Sequence, residues 1–145
     1  VMTADCLPVV LADIEGRCVA AVHGGWRGLA GGILKRTVEA MPVDADRLFA
    51  WLGPAIGPSA FEVGGDVLAA FYLADDDLAV HPIPELNDKY FLDLNILVGR
   101  QLLALGIDPG HVSGGDTCTY SDPQRFYSYR RDGDTGRMVT LILKK

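Results

Sequence analysis

Apolar and β-branched residues dominate two short runs near the start of the chain, residues 8–13 (PVVLAD) and 17–23 (RCVAAVH), with the turn-like Asp13-Ile14-Glu15-Gly16 between them. This pattern predicts a β-hairpin. From Trp26 the period changes. Trp26, Leu29, Ala30, Ile33, Leu34, Val38 and Met41 recur at three- and four-residue steps and Pro42 follows, which predicts one amphipathic helix with a defined stop. Residues 48–52 (LFAWL) read as a short buried strand ended by Gly53-Pro54, and Val67, Leu68 and Phe71 as a short helix over residues 65–73. Asp75-Asp76-Asp77 reads as a solvated loop. Asp93 is placed to cap a helix running to Leu105, where Gly106 and Pro109 end it. An irregular loop is expected at Cys118-Thr119-Tyr120 and a final strand over residues 137–143 (RMVTLIL). There is no repeat and no linker, so residues 1–145 are expected to form one α+β domain with a mixed sheet. The hairpin strands must run antiparallel, which argues against a doubly wound parallel fold.

Residues 1–12 (VMTADCLPVVLA) are core-like from the first position. We therefore expect an N-terminal segment upstream, and an open or unusually apolar surface beside this edge.

Composition narrows the function. A hydrophobic fraction of 49% with 22% charged residues is that of a folded domain, and no apolar run approaches the roughly 20 residues of a membrane span. The net charge of −6 argues against a nucleic-acid partner held through its phosphates. A small anionic substrate stays compatible, because local arginines override a global balance. The three cysteines, Cys6, Cys18 and Cys118, are odd in number and form no CxxC pair, which points to a reduced, cytoplasmic setting.

Cys6 precedes the first hairpin strand and His23 ends the second, so the two should lie nearly opposite each other. A thiolate with an imidazole suits zinc, and a catalytic zinc takes three protein ligands and a water. The plain alternative is a buried cysteine beside a hydrogen-bonded histidine. His23-Gly24-Gly25-Trp26-Arg27-Gly28 then runs from strand end through two glycines into a helix. There the backbone can approach a ligand, the first amides can meet an anion, and Arg27 adds charge. The same junction is also ordinary turn chemistry. Arg130, between Tyr129 and Arg131, offers the forked donors that a phosphate or carboxylate requires. Phe126, Tyr127 and Tyr129 are candidates to stack a purine or to pack the core. Asp5 is either an outer carboxylate orienting a histidine ligand or a turn residue. His81 and His111 read as surface or structural residues, with His111 the reserve metal ligand. Cys18 reads as core filler. Cys118 lines the pocket or anchors a loop.

Five motifs in order resemble the YfiH-like, or laccase-domain, family. They are Thr3-Ala4-Asp5-Cys6-Leu7-Pro8; His23-Gly24-Gly25-Trp26-Arg27-Gly28; Gly53-Pro54-Ala55-Ile56-Gly57-Pro58 with Phe61-Glu62-Val63-Gly64; Cys118-Thr119-Tyr120; and Phe126-Tyr127-Ser128-Tyr129-Arg130-Arg131 with Gly136-Arg137. The resemblance implies a CNF/YfiH-like fold and a metal held by two histidines and one cysteine. It places the cysteine at Cys6 and the second histidine at His23, while the family's first histidine falls upstream of this chain. Ser59 departs from the family, where many relatives carry cysteine.

The resemblance implies a zinc-dependent enzyme acting on purine nucleosides with phosphate, by phosphorolysis and with adenosine deamination as a further activity. Cys6, His23 and Asp5 are then the candidate catalytic residues, and Arg27, Gly25, Arg130 and Tyr129 the substrate contacts. A hydrolase editing peptidoglycan precursors, with Cys6 as nucleophile and His23 as base in one variant, is the second reading. A copper-dependent polyphenol oxidase is the third, and three histidines are few for a multicopper site. A non-catalytic binding domain with an inert Cys6–His23 pair is the fourth.

Overall fold

The computed structural model describes residues 1–145. A two-residue strand β1 (Met2–Thr3) bends through residues 4–6 into β2 (Leu7–Asp13), which folds back as β3 (Val19–Gly24). The register pairs Pro8 with His23 and Leu7 with Gly24, so the hairpin forms as its pattern predicts. β4 (Leu48–Leu52) lies antiparallel on the other side of β2, and β8 (Val112–Gly114) runs parallel to β4, giving the strand order β3-β2-β4-β8. The sheet is mixed, as expected for the α+β class.

Alternation along these strands sorts the two faces. Leu7, Val9, Leu11, Val22, Leu48, Ala50 and Leu52 are buried on the inner face. They join a core with Leu29 of α1 (Trp26–Ala30), Leu34 and Val38 of α2 (Ile33–Ala40), and Leu97, Val98 and Leu102 of α4 (Leu94–Ala104). The outer face is less covered. Phe49 and Trp51, expected in a short buried strand, alternate outward and are 46% and 42% exposed.

The single helix expected from Trp26 to Met41 is two helices. Gly32 adopts a left-handed φ of 80°, and the chain breaks there while Leu29, Leu34 and Val38 keep one buried face. The apolar period survives the break because both pieces pack on the same sheet. Asp93 caps α4 as predicted, its Oδ1 accepting the amides of Asn95 at 2.8 Å and Ile96 at 3.1 Å. A second sheet was not legible in the pattern. β5 (Glu62–Gly64), β7 (Lys89–Leu92) and β6 (Val80–Pro82) are each three or four residues long and flank α3 (Gly65–Phe71).

The final strand is also shorter than expected. Only β9 (Met138–Val139) pairs, with β1, and its Thr140 exchanges two backbone hydrogen bonds with Val1. Met2, Val139, Leu141 and Leu143 along this edge are 63–77% exposed. Before it comes α5 (Tyr129–Asp132).

The hairpin turn is held by Asp13, which is buried. Its Oδ2 accepts Arg17 Nε at 2.7 Å and the Arg17 amide at 3.2 Å, while Arg47 Nε stands 3.6 Å from Oδ1. The Arg17 side-chain hydrogen bond holds the Asp13 carboxyl well below the ordinary carboxylate range. A depressed folded-state pKa contributes stability that is complete above the unfolded value, about 4, and is lost as pH falls through the folded one. We predict that Asp13→Asn lowers Tm at pH 7 and that the gap from wild type narrows steadily below pH 4. A gap independent of pH would show that the turn does not depend on this charge.

Candidate active site

The bend at residues 4–6 positions the site. Asp5 sits there with a left-handed φ of 86° and is only 8% exposed. A buried carboxylate needs donors, and all of them come from the far end of the chain. Oδ1 accepts the Thr119 hydroxyl at 2.6 Å, and Oδ2 accepts the Ser128 hydroxyl at 3.0 Å and the Arg130 amide at 2.7 Å. Of the two roles considered for Asp5, the turn role is the one these hydrogen bonds describe. Its oxygens join the first strand to residues 119–130.

Cys6 ends the bend, two residues before Pro8, whose partner in the hairpin is His23. Both side chains reach one spot. A Cβ added to Gly25 would stand 3.3 Å from the Cys6 Sγ and 3.5 Å from the His23 Nε2. Gly25 has an ordinary φ of −74°, so what this position requires of glycine is space. The donor set and that space fit a thiophilic, imidazole-binding ion such as zinc. Two donors are present, and no group of three His, Cys, Asp or Glu side chains converges here. Burial raises the Cys6 thiol above its ordinary pKa, the Asp5 charge raises it further, and Arg137 partly offsets both. A bound cation would act against this shift, since a metal takes the thiolate as its ligand.

His111 does not supply a third donor. Its ring packs 4.3 Å from that of Phe49, its Nδ1 is buried without a hydrogen-bond partner, and it precedes β8. Three strand spacings separate β8 from β3, roughly 14 Å. The reserve-ligand reading of His111 is thereby corrected. His81 is exposed on β6 in the other sheet.

A cavity of about 430 Å³ adjoins the pair. All seven residues singled out from the sequence line it: Asp5, Cys6, His23, Gly25, Arg27, Tyr129 and Arg130. Arg27 lies over the Trp26 ring at 4.3 Å. Arg130 donates from Nη1 to the carbonyls of Glu62 at 3.0 Å and Ala60 at 3.4 Å, so it also pins the loop before β5. Tyr129 is 61% exposed. The helix start counts for less than its motif suggested, because α1 has five residues and little macrodipole. Phe61 and Arg137 line the cavity too and were not selected from the sequence as site residues. The available signal was that both stand within the family motifs, Phe61 at the head of Phe61-Glu62-Val63-Gly64 and Arg137 in Gly136-Arg137.

Arg131, adjacent to Arg130, is a clamp and not a solvated partner. It donates to the carbonyls of Thr119, Tyr120 and Phe126, each at 2.9 Å. Cys118 is a loop anchor outside the cavity, accepting the Gly57 amide at 3.1 Å. Its burial opposes ionisation, but hydrogen bonds from Ser121, Gly57 and Tyr120 together outweigh that and leave the thiol below its ordinary value.

Asp5 and Gly25 yield separate tests. Asp5→Ala strands two hydroxyls and an amide, and we predict a loss of about 3 kcal/mol in unfolding free energy by urea titration; a loss under about 1 kcal/mol would show the three hydrogen bonds to be dispensable. Gly25→Ala should leave Tm within a few degrees yet weaken zinc binding at least about tenfold in a chelator competition, since the methyl group occupies the space between the two donors. Unchanged zinc affinity would place any ion elsewhere.

The chain is similar to known proteins over its whole length. The model of the family described as multi-copper polyphenol oxidoreductase laccase matches residues 1–145. The Escherichia coli (strain K12) purine nucleoside phosphorylase YfiH is 48% identical over 142 residues, covering 98% of this chain and 57% of that protein. An adenosine deaminase, RL5, from an unknown prokaryotic organism is 36% identical over 152 residues, covering 100% of this chain and 57% of its own length. The crystal structure of a Neisseria meningitidis protein of family DUF152 superimposes with a TM-score of 0.88 at 48% identity, over 94% of this chain and 56% of that one. The chain thus spans somewhat over half the length of these relatives. On the match over its whole length, the chain belongs to the YfiH-like, laccase-domain family.

Proposed function

We propose that this protein is a metal-dependent enzyme of purine nucleosides that cleaves the N-glycosidic bond with phosphate. The observation that carries the reading is the convergence of a thiol, an imidazole and free guanidinium groups on one cavity walled by Trp26, Phe61 and Tyr129. The names of the relatives, purine nucleoside phosphorylase and adenosine deaminase, support the substrate class. In the reaction a phosphate oxygen forms a bond to C1′ of the ribose as the bond from C1′ to the base nitrogen breaks. The base leaves with that electron pair and takes a proton, and ribose 1-phosphate remains.

The residues divide this work. The arginines bind and neutralise phosphate. The aromatic walls offer faces against which a flat base can stack. Cys6 and His23 would hold zinc, which when bound supplies Lewis-acid charge stabilisation at neutral pH. A catalytic zinc takes three protein ligands; the third is assigned, on the family resemblance, to a histidine outside these 145 residues. Adenosine deamination is the second reading and is supported by the name of the RL5 relative. The oxidase reading is supported by the description of the matching family model; His81 and His111 lie away from the Cys6–His23 pair.

The test is incubation of the full-length protein with inosine, with and without phosphate, followed by chromatography. We expect phosphate-dependent release of hypoxanthine with an equal yield of ribose 1-phosphate, abolished by Cys6→Ser and by His23→Ala together with stoichiometric zinc. Release at the same rate without phosphate would replace phosphorolysis by hydrolysis. Full activity in both variants would remove the metal from the mechanism.

A further inference from the structure

The chain carries a net charge of −6, yet its cavity is basic. Of its nine arginines, Arg17, Arg47, Arg100, Arg125 and Arg131 are ion-paired with carboxylates. The other four have no carboxylate partner, and three of them, Arg27, Arg130 and Arg137, line the cavity beside Cys6 and His23. Asp5 is the only carboxylate on its wall, and its oxygens are occupied by Thr119, Ser128 and the Arg130 amide. Three guanidinium charges against the one carboxylate of Asp5 leave the cavity with a net positive balance.

Each of the three guanidinium groups is nonetheless held. Arg27 rests on the Trp26 ring, and Arg130 is tied to the Glu62 and Ala60 carbonyls. Arg137 donates from Nη1 to the carbonyls of Thr135 at 2.7 Å and Gly136 at 2.9 Å. Carbonyls and rings orient a guanidinium without cancelling its charge. The backbone around Arg137 is fixed on both sides. Met138, the next residue, pairs with Thr3, and a Cβ on Gly136 would come within 2.7 Å of the Tyr127 ring. Arg137 is thus set beside the bend that carries Cys6, with its remaining donors free.

We propose that Arg137 completes a three-arginine clamp, with Arg27 and Arg130, for a tetrahedral dianionic oxyanion at the Cys6–His23 end of the cavity. Three fixed charges select a dianion over a carboxylate, because a single negative charge leaves most of the clamp unneutralised. In the reading above, which this inference deepens and on which its biological meaning rests, that oxyanion is inorganic phosphate. Arg137 acts there as a binding and positioning residue.

The test titrates inorganic phosphate, sulfate and acetate directly into the full-length protein and into Arg137→Gln and Arg137→Lys, with Tm measured for each. Inosine kinetics are run on the same samples. We expect the phosphate Kd to rise about tenfold or more in Arg137→Gln, the effect of losing a charge-assisted hydrogen bond, and to recover partly in Arg137→Lys. Sulfate should compete with phosphate and acetate should not. The KM for phosphate should follow Kd while that for inosine stays within about twofold. The inference is overturned if the wild type binds no phosphate, if Kd in Arg137→Gln stays within about twofold of wild type at unchanged Tm, or if acetate competes as well as sulfate. Arg137-dependent phosphate binding without inosine cleavage would uphold the clamp and refute the phosphorolysis reading alone.

Discussion

The Asp5 carboxylate is the interaction on which the rest of the site depends. It is buried, it sits on a left-handed backbone, and it draws its three donors from residues 119, 128 and 130. A buried charge without donors costs several kcal/mol, so the bend and the C-terminal segment must come together or not at all. Cys6 is the next residue, and Arg130 is the residue whose amide Asp5 holds. One carboxylate thereby sets both the thiol side and the arginine side of the cavity.

The cavity is electrostatically separated from the molecule around it. Most arginines elsewhere are paired with carboxylates, as at the Asp13 turn, whereas those at the cavity are oriented by carbonyls and by the Trp26 ring. The difference matters for chemistry. A guanidinium already paired to a carboxylate must give up that partner before it binds an anion, whereas one held by carbonyls does not. Preorganised charge of this kind serves binding and transition-state stabilisation with little rearrangement.

Gly25 shows how a local position can serve a distant one. Its backbone angles suit any residue, so no turn requirement explains it. A Cβ there would press on the Cys6 sulfur and lie in contact with the His23 ring. The glycine keeps open the space that the two donors share, and the short α1 beyond it carries Trp26 and Arg27 to the cavity wall.

Much of this was legible in the amino-acid sequence. Strand periodicity and the Asp13–Gly16 turn determine the hairpin, and with it the opposition of Cys6 and His23, because both are consequences of local backbone geometry with a period of two. The Asp93 cap and the α4 stop follow from equally local hydrogen bonds. The break at Gly32 was obscured because two helices packed on one sheet retain a single apolar period. The strands of the second sheet and the length of the last one were decided by tertiary pairing, since segments of two to four residues are too short to display a period. The partners of Asp5, the distance of His111 from the pair and the position of Arg137 on the cavity wall were decided by the tertiary structure, although the motifs already contained Asp5 and Arg137. Each rests on which segments meet across more than 60 positions of chain, as Asp5 does with Ser128, and pairings at that separation leave no trace in the local order of residues.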